Sequence, residues 1–576
     1  MRHTFLTVLL SLTVAGLAAQ SKGDWPLHNL DATSSRYSQL DQITPANAGK
    51  LVVKWQADLP KPASAGSGTP VVVGGIVYVN SGPDLFAIDG TTGKILWSKK
   101  SNVDFPGGGR GPAYGDGRVY GGGRSVIAAF NAENGTPITT FGNNGVLNPA
   151  KAGLDFKDPG KYPADMNPET LGYFMANAPT YAAGTLFVPL ASSEGVVPGG
   201  LLVAADGATG KVKWVFRTIP QGPGDDGWEL AKDTWSGADR RGGGIWSVPA
   251  IDTALGLVYV NVSNPTNNYD GSLRKGANLF TNALVALDIN TGKIKWHFQT
   301  IHHDVWDWDL IGGPTLFDAT VNGKAVKAVA ATPKTCYIYA FNRETGKPLH
   351  PIVEMAVPTK TDVPGEEIYP TQPIPFNARN VPQSAFCALF PPNVEDPKLA
   401  AMARPVFTPP SSKEPLLLSP GAVGGPNRGA GAFSPRTGLH YVTGKNDAMI
   451  LQAKPLTETI QSGLGSPGHF KSFIEWKMGA VKATQNIAAY NPTTGDLAWV
   501  TEVPGTTNGG LLATAGGLVF QSTGRVFHVL DAQTGKKLVE VPIKISTSSS
   551  PFAFQAGGKE FVAIASGSSI VAIGLP

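Results

Sequence analysis

A chain of 576 residues that is 42% hydrophobic has ample material for a buried core, which excludes a disordered protein. Only 16% of the residues are charged while 70 are glycine and 47 proline, a balance that favours short strands and tight turns over long surface helices. The net charge of +4 is small for this length, and no Lys/Arg run is long enough to track a phosphate backbone, so nucleic acid is excluded as a partner class.

The first twenty residues read as an export signal. Arg2 and His3 give a basic start, Phe5 to Leu17 is almost wholly apolar, small residues follow at Ala18 and Ala19, and the chain turns polar at Gln20. The apolar run is shorter than the roughly 20 residues that span a bilayer, and no later segment is long and apolar enough to do so. The expected organisation is a signal peptide over 1–20 and a single domain over 21–576, exported from the cytoplasm.

A phrase then recurs. It runs FAIDGTTGKILW from Phe86, VAADGATGKVKW from Val203, VALDINTGKIKW from Val285 and AAYNPTTGDLAW from Ala488, with weaker copies from Ala128, Tyr339 and His528. In each, an apolar strand ends at Asp or Asn, whose side chain can bond the turn backbone. A glycine then supplies positive φ, and a second strand follows that delivers a Trp in the strong copies. A hairpin repeated with an aromatic is the signature of propeller blades. The turn glycines are Gly93, Gly135, Gly210, Gly292, Gly346, Gly495 and Gly535, and the shortest gaps, 40 and 42 residues, match one four-stranded blade. The 149-residue gap from Gly346 to Gly495 is read as hiding one further blade plus a long excursion, which makes eight. Trp55 is read as part of a strand that closes the last blade and removes its open edge. The fold class expected is therefore all-β, an eight-bladed β-propeller with tryptophan-docking repeats and no sustained helical periodicity.

The residues that interrupt a repeat carry the functional information. His302 to Leu310, HHDVWDWDL, packs three carboxylates, two imidazoles and two indoles into a few residues, a mixture that no turn or packing requirement explains. His302 and Asp304 could tie down a loop with both indoles in the core. Read as a strand, the segment points Asp307 and Asp309 to the same face. Two carboxylates so placed raise each other's pKa unless a cation stands beside them, and hard oxygen ligands suit Ca²⁺, Mg²⁺ or a larger trivalent ion. Cys336 and Cys387 are the only cysteines; a bridge and two buried thiols are equally compatible with the sequence.

HHDVWDWDL, followed by KAVAATPKTCYIYAFNRETGKPLHPI from Lys324, resembles the quinoprotein dehydrogenases, which bind pyrroloquinoline quinone in a propeller funnel. The resemblance runs from DWPLHNLDATSSRYSQL at Asp24 to GGKEFVAIASG near the C-terminus. It implies that Asp307 is the catalytic base, that Glu194 and Asn264 are cation ligands, and that Asp309 is a further carboxylate that some members use for a lanthanide. Sugar-oxidising members share the same run, so Asp309 leaves Ca²⁺ and a lanthanide both open. The resemblance further implies that the quinone lies on Trp246, that Arg110 pairs with a cofactor carboxylate, and that Lys334 stands beside the quinone oxygens. The implied activity is oxidation of an alcohol, polyol or aldose in the periplasm by hydride transfer to pyrroloquinoline quinone. The chain departs from the family in two places. Phe105 to Gly109 stands where many relatives have adjacent cysteines, and Arg428 follows Asn427 where many carry an aromatic. No Cys-x-x-Cys-His occurs, so electrons are expected to leave through a separate acceptor such as a cytochrome c or a quinone. Two other readings are a non-catalytic propeller scaffold of the outer-membrane assembly type, which predicts no clustered acids, and a relative that binds cofactor without turnover.

Overall fold

The structure is a computed structural model that describes residues 21–107, 110–191, 197–237, 240–455, 472–477, 481–547 and 549–576. The proposed signal segment 1–20 and the proposed ligand Glu194 lie outside the described residues.

Eight antiparallel sheets follow one another as blades, spanning residues 71–100, 113–147, 180–217, 250–299, 310–342, 432–504, 512–542 and 552–574. The recurring phrase supplies the third strand, the turn and the fourth strand of a blade. In blade 4, Ala283–Asp288 pairs with Ile294–Gln299 across Gly292, which has φ +68°. Asp288 Oδ1 accepts the backbone N–H groups of Asn290 and Thr291, the local bond that makes Asp the turn residue.

The tryptophans dock each blade onto the next. A Cβ added at Gly93, Gly292, Gly346 or Gly535 would lie under 3 Å from the ring of Trp55, Trp214, Trp296 or Trp499 respectively, so the indole covers the turn of the following blade. The indole N–H then finishes the contact, from Trp55 to the Gly90 carbonyl at 2.9 Å and from Trp296 to the Arg343 carbonyl at 3.1 Å. Glycine is required at these turns twice over, for positive φ and for room beneath the ring.

Trp55 closes the ring as expected. Its strand, Val52–Asp58, pairs antiparallel with Ser569–Gly574, covers the edge of that strand and becomes the outer strand of blade 8. This corrects the sequence reading of the 149-residue gap: the eighth blade is the one closed by the N-terminal strand, whereas the described residues within 351–431 and 447–483 are insertions. The insertions contain a hairpin (Ile352–Ala356 with Thr371–Pro375) and a three-stranded sheet of Leu416–Leu418, Met449–Pro455 and Ser472–Lys477. That sheet draws one strand from before blade 6 and two from the loop between the second and third strands of that blade, which a reading along the chain cannot anticipate. Helices among the described residues are short, the longest being Pro149–Lys157, and none is long and apolar enough to cross a membrane.

Alternation of strand direction places the site. Strands 1 and 3 of a blade run one way and strands 2 and 4 the other, so the repeat turns lie at one end of the ring. The loops after strand 2 and the links from blade to blade lie at the other end.

Candidate active site

The expected site residues fall on that second end. Asn264 and Lys334 follow the second strands of blades 4 and 5, Leu257–Asn261 and Lys324–Pro333. Arg110, Trp246 and the Asp307–Asp309 segment lie on the links between blades 1 and 2, 3 and 4, and 4 and 5.

The His302–Leu310 segment divides into a buttress and a working edge. It is a loop, with the strand beginning only at Leu310, so pleating does not explain the shared direction of Asp307 and Asp309. Asp307 instead takes a left-handed φ of +65°, tolerable for Asp at a cost of roughly 1 kcal/mol. Trp306 and Trp308 on either side of it are fully buried and stack with centroids 5.3 Å apart. Asp304 holds the turn together, accepting from the backbone N–H of Trp306 at 2.8 Å and of Trp308 at 2.9 Å and from Asn282 Nδ2 at 3.0 Å. Burial raises its pKa. His303 Nε2 meets Glu366 Oε1 at 2.7 Å, tying the insertion to the loop. Burial pushes the Glu366 carboxyl up, but the bond and charge of His303, with Arg274, outweigh it and the net shift is down. The loop-tying role considered for Asp304 thus holds for part of the motif, while Asp307 and Asp309 face elsewhere.

Those two carboxylates converge on Lys334. Its Nζ is 2.6 Å from Asp309 Oδ2 and 3.5 Å from Asp307 Oδ2, and it donates to the Asp307 backbone carbonyl at 2.8 Å. Asp307 also accepts from Asn268 Nδ2 at 3.0 Å and from the Tyr269 hydroxyl at 3.3 Å. Asp309 Oδ1 accepts the Asn264 backbone N–H at 3.0 Å. The ammonium lies 5.9 Å from the centre of the Trp246 ring, which packs beside Ala176 and Ile311. Asn264, Asp307, Asp309, Lys334 and Trp246 are therefore brought together, while Arg110 stands three blades round the ring. The backbone of Arg110 packs against Gly68, and its carbonyl is 3.1 Å from His28 Nδ1. Sequence reasoning missed Asn268 and Tyr269. The polar run Asn267 to Asp270, directly after the motif containing Asn264, was the available signal.

Two buried polar atoms fit a bound group. Among the described residues neither Asn264 Oδ1 nor Trp246 Nε1 has a hydrogen-bond partner, and a buried polar atom left so costs about 1–3 kcal/mol. The Asn264 oxygen is a hard acceptor close to two carboxylates that share one ammonium, a donor set suited to a hard cation. No three His, Cys, Asp or Glu side chains among the described residues form a metal-holding group by themselves. A cation here would thus draw on amide oxygen or on the cofactor as well. The two cysteines are bridged, with Cα atoms 5.7 Å apart; the disulfide underlies Gly425, which donates its N–H to the Lys334 carbonyl at 2.9 Å.

The family model for the "Glucose/ethanol/alcohol dehydrogenase, beta-propeller domain" matches residues 25–472. A second, for "Outer membrane protein assembly factor BamB", matches residues 483–573, the last blades, which hold none of the expected site residues. The chain is 30% identical to the dehydrogenase subunit of an alcohol dehydrogenase (quinone) of Komagataeibacter europaeus, covering 94% of this chain and 71% of that one. It is 26% identical to the glycerol dehydrogenase large subunit of Gluconobacter oxydans (strain 621H), over 96% of this chain and 83% of the other. The crystal structure of quinohemoprotein alcohol dehydrogenase from Comamonas testosteroni superposes with a TM-score of 0.74 at 25% identity, covering 97% of this chain and 81% of that one.

Proposed function

From the premise that this chain belongs to the pyrroloquinoline quinone-dependent glucose/ethanol/alcohol dehydrogenase β-propeller family, we propose how its own residues carry out the oxidation of a CH–OH group. The protein is an oxidoreductase of that family, and the observation that carries the site assignment is the convergence of Asp307, Asp309 and Lys334 beside Trp246.

Asp307 is the general base. Its carboxylate accepts the alcohol O–H proton, and the Asn268 and Tyr269 donors fix its plane so that the proton is met without reorganisation. Bound in the funnel, pyrroloquinoline quinone supplies the two-electron acceptor for the hydrogen that leaves the alcohol carbon as hydride. Trp246 offers the flat apolar face against which such a ring system packs. Lys334, held by Asp309 and the Asp307 carbonyl, presents positive charge where oxygen charge develops. Asn264, Asp307 and Asp309, together with Glu194, are the oxygen donors for a cation, either Ca²⁺ or a lanthanide, with Mg²⁺ compatible. Arg110 pairs with a cofactor carboxylate, a geometry its planar fork suits.

In the same reading, residues 1–20 direct export to the periplasm and 21–576 form one propeller domain. Electrons pass to a separate acceptor, a cytochrome c or a quinone, and the substrate is a small alcohol, polyol or aldose. The non-catalytic scaffold reading predicts no clustered acids, and the Asp307–Asp309–Lys334 group speaks against it. The deciding experiment is reconstitution of apoprotein with pyrroloquinoline quinone and Ca²⁺ or a lanthanide, followed by a dye-linked screen of alcohols and sugars. Alcohol- or sugar-dependent dye reduction that requires both quinone and metal is expected; quinone binding without turnover would leave the inactive relative.

A further inference from the structure

A second group of cations lies beside the first and is not used by the proposed mechanism. Lys445 sits at the end of the second blade 6 strand, Leu439–Asn446, on the same end of the ring as Lys334. Two backbone bonds connect them: Gly425 N–H to the Lys334 carbonyl and Lys445 N–H to the Gly425 carbonyl, each 2.9 Å. The side chain of Lys445 is buried, and among the described residues its Nζ donates to the neutral Asn508 Oδ1, with no carboxylate in ion-pair reach. Asn508 also accepts, through its backbone carbonyl, the N–H of Gly429. That bond anchors the residue following Arg428, whose guanidinium donates to Ser67 Oγ at 3.2 Å, on the link between blades 8 and 1.

A buried ammonium facing a neutral amide is expensive. Burial, with the like charges of Lys334 and Arg428 outweighing the attraction of Asp447, brings the Lys445 pKa down to about 7. An anion would compensate the Lys445 ammonium, and a carboxylate has acceptor oxygens enough to bond Lys445 and a guanidinium N–H of Arg428 together.

We infer that Lys445 and Arg428 form a carboxylate-binding subsite next to Lys334. The inference rests on the dehydrogenase reading for the identity of the ligand, which is either a carboxylate of the tricarboxylic quinone or that of a hydroxy-acid substrate. Binding takes up a proton at Lys445 and therefore weakens as pH rises above about 7.

The test uses the full-length mature protein with metal, as wild type, Lys445→Met and Lys445→Arg. Calorimetry measures the affinity for pyrroloquinoline quinone and for its trimethyl ester. Kinetics compare KM for glycolate with KM for ethylene glycol, which has CH₂OH in place of the carboxylate. Removing one charge-assisted bond is expected to cost about tenfold. A cofactor carboxylate is indicated if Lys445→Met weakens quinone but not ester binding. A substrate carboxylate is indicated if quinone affinity holds while the glycolate KM rises and that of ethylene glycol does not. Lys445→Arg should retain most of either effect. The proposal is overturned if Lys445→Met leaves every value within twofold, or weakens charged and uncharged ligands equally, which shape alone would do. Should the wild type bind no quinone, the dehydrogenase reading fails by itself. The subsite is then decided by glycolate binding to the bare protein: binding lost in Lys445→Met sustains it, and no binding overturns it.

Discussion

Replacing Asp307 by Asn removes the base while disturbing the site as little as any substitution can. The amide oxygen can still accept from Asn268, 3.0 Å away, or from the Tyr269 hydroxyl at 3.3 Å. Lys334 loses only its longest charged contact, 3.5 Å, and keeps Asp309 at 2.6 Å and the Asp307 carbonyl at 2.8 Å. The lysine should therefore stay in place, and with it the positive charge beside the Trp246 face. What disappears is the group that takes the hydroxyl proton, typically worth about 10²–10⁴ in rate, or about 3–5 kcal/mol of barrier. The assay is steady-state oxidation by the reconstituted enzyme, with quinone affinity and the melting temperature measured alongside. The expected outcome is a kcat lowered by about 10²–10⁴ with quinone affinity within a fewfold of wild type. A kcat within fivefold of wild type would refute the assignment of Asp307. A collapse of quinone binding without an intrinsic rate effect would show the carboxylate to be a ligand and not a base.

Asp309→Ala should weaken lanthanide activation far more than Ca²⁺ activation, because a lost carboxylate costs more against the higher ion charge; parallel activity curves against metal concentration would exclude the lanthanide reading. Trp55→Ala, which removes a buried indole sealing blade 8 onto Gly93, should cost about 3–5 kcal/mol in a denaturant titration. Opening the Cys336–Cys387 bridge, a sequence separation of 51, should cost about 4 kcal/mol on the chain-entropy account, measured as a lowered midpoint in Cys336→Ser/Cys387→Ser. Burial raises Glu560 from its ordinary value to about 7 in the folded chain. Its contribution is thus fully present below about pH 4.5 and is lost as pH rises toward 7, and Glu560→Gln should flatten that part of the melting profile.

The scaffold was legible because its rules are local. An Asp or Asn, a positive-φ glycine and a tryptophan specify one hairpin and the dock for the next, and the seven such glycines along the chain mark seven of the eight blades. The long gap misled because its extra sheet is assembled from Leu416–Leu418 and strands within the blade 6 loop, pairings between segments with no repeat phrase of their own. The Asp307–Asp309 pair was found for a partly mistaken reason. Alternation along a strand places i and i+2 on one face, but here a left-handed Asp307 in a loop does so, with the buried Trp306 and Trp308 as the counterweight.

Lys445 marks where the sequence alone runs out. Nothing in TGKNDAM distinguishes it from a solvated lysine at a strand end. Its meaning comes from distant parts of the chain: Lys334 of blade 5, Gly425 of the insertion, Asn508 of the next link and Arg428 crossing toward Ser67. The ring closure that brings blade 8 against blade 1 sets the distance Arg428 must span. The docking of Trp55 on Gly93 is part of that closure. A substitution that loosens that seam should consequently disturb Arg428 before Asp307, whose partners Asn268, Tyr269 and Lys334 belong to blades 4 and 5.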